Sequence, residues 1–458
     1  MDTYAKRVRV LTHSEEDTID PSALYQIMRM RPHSPLFPNL TDLVVDCDTG
    51  YILSLLSSPF LRAVEITTLS QPFFPAVWTF IQELQHKSPR LKWLSVTAVI
   101  PPRLIPSLTA LDELRFLSIC YDEKHADNEL LGVSLFTSFA GLPDLQTLEV
   151  QNCSSEKFFH SSNTSESDFH KMRFPVLKNL GLTCRWATLL ACINSLKDSR
   201  LRSLTFYPAR SKSNPNESHP TAEEWDTFVR LLQENTSDLF ESIVIHPPHN
   251  IQPQSGNLAR GFRHPEAYPN FRQVLTLWRS LSVLEINFPI FHSISQEDIE
   301  SIVDAWPRLS RLHLASQATS PARLNFKALA TIALKLPHLT SLRLSVQAAN
   351  LPDIGEVPVF SHRLAHFEPY NPFKSDDPLA FAQCFDRLFP FLSTETSSRH
   401  RSSEPSGWVP VLKALRILQQ ARMDQQRRQE GTAHIEPVEP GWQEEGRLAG
   451  LEYLAIQI

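Results

Sequence analysis

Apolar residues recur along this chain in one short phrase. Its clearest form is Trp306-Pro-Arg-Leu-Ser-Arg-Leu-His-Leu314, where an aromatic residue and a proline lead into Leu-x-x-Leu-x-Leu. The phrase returns at Phe37–Val45, Ser88–Val96, Leu142–Val150, Phe174–Leu182 and Leu336–Leu344. Side chains alternate along a half-buried strand, so the fourth and sixth positions point inward and the third, fifth and seventh point outward. Such units start at Leu40, Leu61, Leu91, Leu114, Leu145, Leu177, Leu201, Phe240, Leu281, Leu309, Leu339, Leu364 and Leu451. Their spacing runs from 21 to 41 residues, except for a last interval of 87. A first strand is predicted at Val8–Leu11, with Val8 and Val10 in its two apolar slots.

The segments between strands carry the helical period. Val77, Phe80, Ile81 and Leu84 stand at i, i+3, i+4 and i+7. Thr221 followed by Glu224 is a capping box, with Trp225, Phe228, Val229 and Leu232 as the apolar stripe behind it. Ser295 to Asp298 opens an acidic first turn, and Ala328–Leu336 is a further helix. Asp20 and Pro21 predict a helix start leading through Tyr25, Ile27 and Met28.

Strand and helix in alternation imply a parallel sheet with helices on one side. With a repeating unit, the predicted fold is α/β, a degenerate leucine-rich-repeat solenoid. Its curved parallel sheet forms the concave face of a horseshoe, and its helices the convex face. The competing doubly wound sheet normally carries glycine-rich turns, and this chain has 12 glycines and no G-x-G-x-x-G. The solenoid is predicted over 1–370. A helical and partly disordered insertion follows at 371–449, with helices at Leu379–Leu392 and Val409–Gln429, and 450–458 is a terminal strand. Residues 154–168, 208–220 and 246–270 read as surface loops.

Composition narrows the function. The 458 residues are 42% apolar and 21% charged, with a net charge of −6. No basic excess marks a nucleic-acid binder, and no apolar run reaches the roughly 18 residues that span a bilayer. Met1 to Arg7 has no apolar signal core, so a cytoplasmic or nuclear location is expected. The six cysteines form no C-x-x-C pair and read as reduced, buried small residues.

No nucleophile elbow, phosphate loop or zinc-protease motif is present, and no cofactor is expected. His362 and His366 have helical metal-ligand spacing but fall at a predicted strand, where residues four apart stand about 13 Å apart. His246 and His249 read as solvated loop residues. Glu65, Glu149, Glu285 and Glu368 share one outward slot of four units. Neighbours in that set are at least three strands apart, about 14 Å, so a solvated face is expected rather than acid–base catalysis. The chain is therefore read as a non-enzyme, with no catalytic or metal site.

The outward slots remain as candidates for binding. Asp42, Glu65 and Glu149 make the first half acidic, with Trp93 beside Phe116. Tyr207 follows, and the later units carry Arg311, His313 and Arg343, the two arginines next to each other. Aromatic and arginine side chains dominate binding hot spots.

The stretch Asp298-Ile-Glu-Ser-Ile-Val-Asp-Ala-Trp-Pro-Arg-Leu-Ser-Arg-Leu-His-Leu314 resembles the F-box/leucine-rich-repeat-like proteins of mushroom-forming (basidiomycete) fungi. The helix Trp225–Leu232, the late pair Leu379–Pro390 and Trp408–Leu415, and the opening Tyr4–Leu11 are similar to that group as well. The resemblance covers nearly the whole chain. It implies the substrate-recognition part of an F-box-type ubiquitin ligase receptor, which presents a captured protein to a Skp-type adaptor and a cullin ligase. The family's N-terminal F-box has no counterpart, because residue 1 falls where the repeats begin. A Skp-type adaptor is thus expected only with an F-box upstream, and the alternative is an interaction scaffold with no ubiquitin link.

Overall fold

The computed structural model describes residues 2–13, 22, 26, 29–30, 35–46, 53–67, 75–121, 131–152, 174–196, 199–208, 220–236, 238–246, 278–291, 294–316, 324–348, 350–369, 375–394 and 407–429. Among them thirteen strands form one sheet, and their order across it is their order along the chain. They are β1 (Val10–His13), β2 (Asp42–Asp46), β3 (Ala63–Thr67), β4 (Trp93–Val99), β5 (Phe116–Tyr121), β6 (Thr147–Asn152) and β7 (Asn179–Cys184). Then come β8 (Ser203–Pro208), β9 (Ser242–Ile245), β10 (Val283–Phe291), β11 (Arg311–Ser316), β12 (Ser341–Leu344) and β13 (His366–Pro369). Every pairing is parallel. A parallel sheet laid down in sequence order, with helices between strands, is the leucine-rich-repeat solenoid that the pattern predicts.

The repeated phrase has a mechanical explanation. In Trp306-Pro-Arg-Leu309, the Leu309 N–H donates to the Trp306 carbonyl at 3.2 Å. The same turn closes at Phe37/Leu40, Ser58/Leu61, Ser88/Leu91, Phe174/Leu177 and Leu336/Leu339. In each of these the second turn residue is proline, whose fixed φ suits that position. The turn delivers the first leucine of the unit to the core, and the strand begins two residues later. The residue between them has a shared role. The Arg62 carbonyl accepts from both Lys92 N–H and Trp93 N–H, and Lys92 in turn accepts from Arg115 and Phe116. This forked ladder runs without a break from the Arg9 carbonyl to the N–H groups of Ala365 and His366. The Ser393 N–H then donates to the Ala365 carbonyl at 2.7 Å and covers the last acceptor.

Registered inward positions form continuous apolar columns. Leu43, Val64, Leu94, Leu117, Leu148, Leu180, Leu204, Ile243, Leu284, Leu312, Leu342 and Phe367 are all buried. Helix Pro75–Lys87 buries Val77, Phe80, Ile81 and Leu84 in the same core, the stripe its spacing predicts. The capping box of Thr221 with Glu224 forms, and Ser295 with Asp298 in the acidic first turn makes a second one. At the C-terminal end, helices Pro378–Leu388 and Trp408–Gln429 follow the solenoid. Phe385 and Trp408 pack against Phe367 with ring centroids 4.9 Å and 5.1 Å away, and Arg422 forks onto Asp386 at 2.8 and 3.0 Å.

Two expectations are corrected. In β1, Leu11 and His13 pair with Leu43 and Val45 and take the inward slots, whereas Val10 pairs with Asp42 and is 62% exposed. Val8 packs against the core, but beyond it the strand phase is one residue away from the predicted one, which puts Val10 on the other face. Cys120 is disulfide-bonded and not a reduced thiol, while Cys184, Cys192 and Cys384 are buried free thiols. Cys120 sits near the end of β5. The loops predicted at 154–168 and 246–270 lie wholly or almost wholly outside the described residues, as does most of 208–220. Most of the helix predicted after Asp20 and the terminal strand at 450–458 lie outside them too.

Candidate functional site

The outward positions of the strands line up in three rows across the open face. The first row runs Asp42, Ala63, Trp93, Phe116, Thr147, Asn179 and Ser203, then Ser242, Val283, Arg311, Ser341 and His366. The second runs Val44, Glu65, Ser95, Ser118, Glu149, Gly181 and Thr205, then Val244, Glu285, His313, Arg343 and Glu368. Asp46, Cys120, Gln151, Thr183, Tyr207, His246 and Asn287 stand farther along the strands. The four glutamates thus do share a row, on β3, β6, β10 and β13.

The later half of this face is an ion network. Glu285 is 3% exposed, and its carboxylate meets Arg311 at 2.6 Å and His313 at 3.3 Å. Burial pushes this carboxyl up. The His313 hydrogen bond and the charges of His313, Arg311 and His246 outweigh burial and hold it below its ordinary range. Arg343 reaches Glu368 at 3.0 Å and Asn287 Oδ1 at 3.4 Å, and His313 Nε2 lies 2.8 Å from Ser341 Oγ. Three expectations change here. Glu285 is not solvated. Arg311 and Arg343 are not side by side, since Arg311 pairs with Ser341 and Arg343 with His313. Neither arginine is a free cation, because each faces a carboxylate of its own chain.

The earlier half is arranged differently. Trp93 and Phe116 stack face to face, with ring centroids 3.4 Å apart and planes 1° apart. Trp93 is half-exposed, and Phe116, although outward, is buried to 5%. Asp42 accepts from the Thr41 hydroxyl at 2.6 Å. Among the described residues no cation pairs with Asp42, Glu65 or Glu149. Glu149 is half-buried, and its carboxyl is pushed up by burial, opposed by a hydrogen bond from Ser118. Tyr207 stacks on His246 at 4.1 Å. Its phenol is pushed up by burial and by the charges of Glu149 and Glu285.

Several participants escape sequence reasoning. Gly181 stands beside Glu149 in the second row, and a Cβ there would lie 3.0 Å from Glu149 Cγ. Thr183 is 7% exposed, and its Oγ1 has no hydrogen-bond partner. His246 and Asn287 join the face through contacts that only the register reveals. The signal for Gly181 was a glycine in an outward slot of a strand, which marks close approach by a neighbour.

No group of three or more His, Cys, Asp or Glu residues suited to a metal occurs among the described residues. His362 is buried, with its Nε2 2.7 Å from the Leu336 carbonyl, and burial lowers its basicity. Among the described residues no helix is long and apolar enough to cross a membrane.

No family model matches the chain, and no curated protein matches it. Among solved structures it is similar to a leucine-rich repeat protein of Leptospira interrogans. The identity is 13% and the TM-score 0.35, over 80% of this chain and 79% of that one. It is also similar to the leucine-rich repeat domain of APL1B, at 11% identity and a TM-score of 0.25, over 84% of this chain and 95% of that one. Strand order and register, not these likenesses, establish the solenoid.

Proposed function

We propose that the chain is an interaction scaffold that holds another protein on its open sheet face. The observation that carries this reading is the contrast between the two sides of each strand. Inward positions repeat one apolar pattern, while outward positions change from unit to unit, from stacked aromatics to carboxylates to an ion network. Side chains free to vary without disturbing the core are where a repeat protein carries specificity. Asp42, Glu65, Trp93, Phe116, Glu149 and Tyr207 form the proposed contact surface. Arg311, His313 and Arg343 flank it and are held by Glu285 and Glu368.

The finer reading is a substrate receptor of an F-box-type ubiquitin ligase in the cytoplasm or nucleus. It is supported by the sequence resemblance alone. Tagged wild-type chain and a Trp93→Ala/Thr205→Arg variant are to be isolated from native cells and compared by quantitative mass spectrometry. The expected result is a partner depleted at least tenfold in the variant, with an unchanged circular dichroism spectrum. Equal recovery overturns the sheet-face reading. Co-recovery of a Skp-type adaptor with the product of the complete gene supports the ligase reading. A partner recovered without it assigns a scaffold with no ubiquitin link.

A further inference from the structure

Four carboxylates share the second row, and among the described residues two of them meet cations. Glu285 has Arg311 and His313, and Glu368 has Arg343. Glu149 is half-buried, receives one hydrogen bond from Ser118, and has no cation among the described residues. Its position depends on a side chain that is missing. The Glu149 side chain leans toward β7, so that a Cβ on residue 181 would lie 3.0 Å from its Cγ. Two residues along β7, Thr183 Oγ1 is buried without a hydrogen-bond partner. Thr183 pairs in register with Tyr207, whose ring is fixed by its stack on His246. The Glu149 side chain therefore lies over Gly181, with Thr183 two residues along the same strand and Tyr207 in register with Thr183.

We propose that the Glu149 carboxylate over Gly181 receives a basic side chain, lysine or arginine, from an extended segment of the protein held on the sheet face. The inference rests on the reading of that face as a protein-binding surface. Among the described residues no cation reaches the Glu149 carboxylate. A lysine ammonium brings three donors and an arginine guanidinium five, so either can pair with both carboxylate oxygens. A neutral partner would strip the remaining water from Glu149 and return only uncharged hydrogen bonds, and an acidic one would add repulsion from Glu149, Glu65 and Asp42. The stacked Trp93 and Phe116, on the two strands before and next to β6, offer an aromatic face for a second cation of the same segment.

The test uses the full chain and three fluorescent hexapeptides that alternate glycine with lysine, glutamine or glutamate, read by fluorescence anisotropy at low salt. The lysine peptide is expected to bind at least fivefold tighter than the glutamine peptide, the scale of one ion pair at a half-exposed site. Glu149→Gln, which keeps the shape, should remove most of that advantage. Gly181→Ala, which keeps the charge but displaces the Glu149 side chain, should lower lysine-peptide affinity about threefold. Glu234→Gln, on the far side of the repeats, should change nothing. Equal lysine-peptide affinity in Glu149→Gln and Glu234→Gln would mean attraction to bulk charge, and the inference fails. If all three peptides bind alike and all weaken in Thr205→Trp, which obstructs the face, docking on the sheet stands and the basic side chain falls. If no peptide responds to Glu149→Gln or to Thr205→Trp, both fall.

Discussion

Glu149 and Glu285 stand in the same row of one sheet, four strands apart, on β6 and β10. Both lose water to their neighbours, yet their electrostatics run in opposite directions. Around Glu285 the chain placed Arg311 and His313 within 3.3 Å, and the carboxyl is held below its usual range. Around Glu149 it placed a serine, a glycine and a tyrosine, and the carboxyl is pushed above that range. The later half of the face is neutralised from within, so it offers a partner little that is not already spent on the fold. The earlier half carries Glu149, which meets no cation among the described residues. An electrostatic cost borne locally without structural return is where a binding function is best sought.

The largest expected effect lies in the neutralised half. Arg311→Ala should destabilise the chain by about 2 kcal/mol, because it strands a buried carboxylate, with the partly exposed guanidinium keeping the loss below that of a fully buried pair. Adding Glu285→Gln should recover more than half of the loss in urea unfolding. Glu149→Gln should leave stability level or slightly raised. If the two halves respond alike, the contrast is wrong.

Acidity sharpens the contrast through its sign. The folded pKa of Glu285 is depressed, so its contribution to stability is present above the ordinary carboxylate range and is lost as pH falls through the folded value. Wild type should therefore exceed Glu285→Gln at neutral pH and converge with it on acidification. The folded pKa of Glu149 is raised, so its contribution is full below the ordinary range and is lost as pH rises through the folded value. Glu149→Gln should gain on wild type as pH climbs toward neutral. Urea midpoints of the three proteins across the acidic range would show divergence in opposite directions, and parallel curves would refute both assignments.

A smaller effect is expected at the aromatic stack. Trp93→Ala should cost about 1 kcal/mol, the scale of one aromatic pair, and uncover Phe116. A loss several times larger would make Trp93 part of the core and not of the surface. The smallest effect concerns Cys120. Non-reducing peptide mapping should find it in a disulfide and leave Cys192 unalkylated in the folded chain, where burial pushes its thiol up to about 12. A disulfide is at odds with a reducing compartment. A Cys120 alkylated without reduction would remove that tension.

The repeat itself is legible because its cause is local. Proline fixes the turn at Trp306-Pro307, and the strand period sends Leu312 and Leu314 inward whatever the neighbouring units do. Capping boxes at Thr221 and Ser295 are local in the same way. Legibility fails where two phases fit equally well or where the partner is distant in sequence. Val8, Val10 and Leu11 offer apolar residues in both phases, and only pairing with β2 decides that Leu11 faces the core. The grip of Arg311 on Glu285 spans two units and depends on their register. The lean of Glu149 over Gly181 joins β6 to β7, so no single stretch of residues spells it.

The forked carbonyl ladder joins each unit only to its sequence neighbours, 21 to 41 residues away. Adding a unit therefore lengthens the chain without lengthening the loops that must close. Folding can begin at any adjacent pair and spread in both directions, at a speed set by one unit's loop and not by 458 residues. The same arrangement means that a nascent chain can finish its early units, including those that carry Trp93 and Glu149, before its later ones exist.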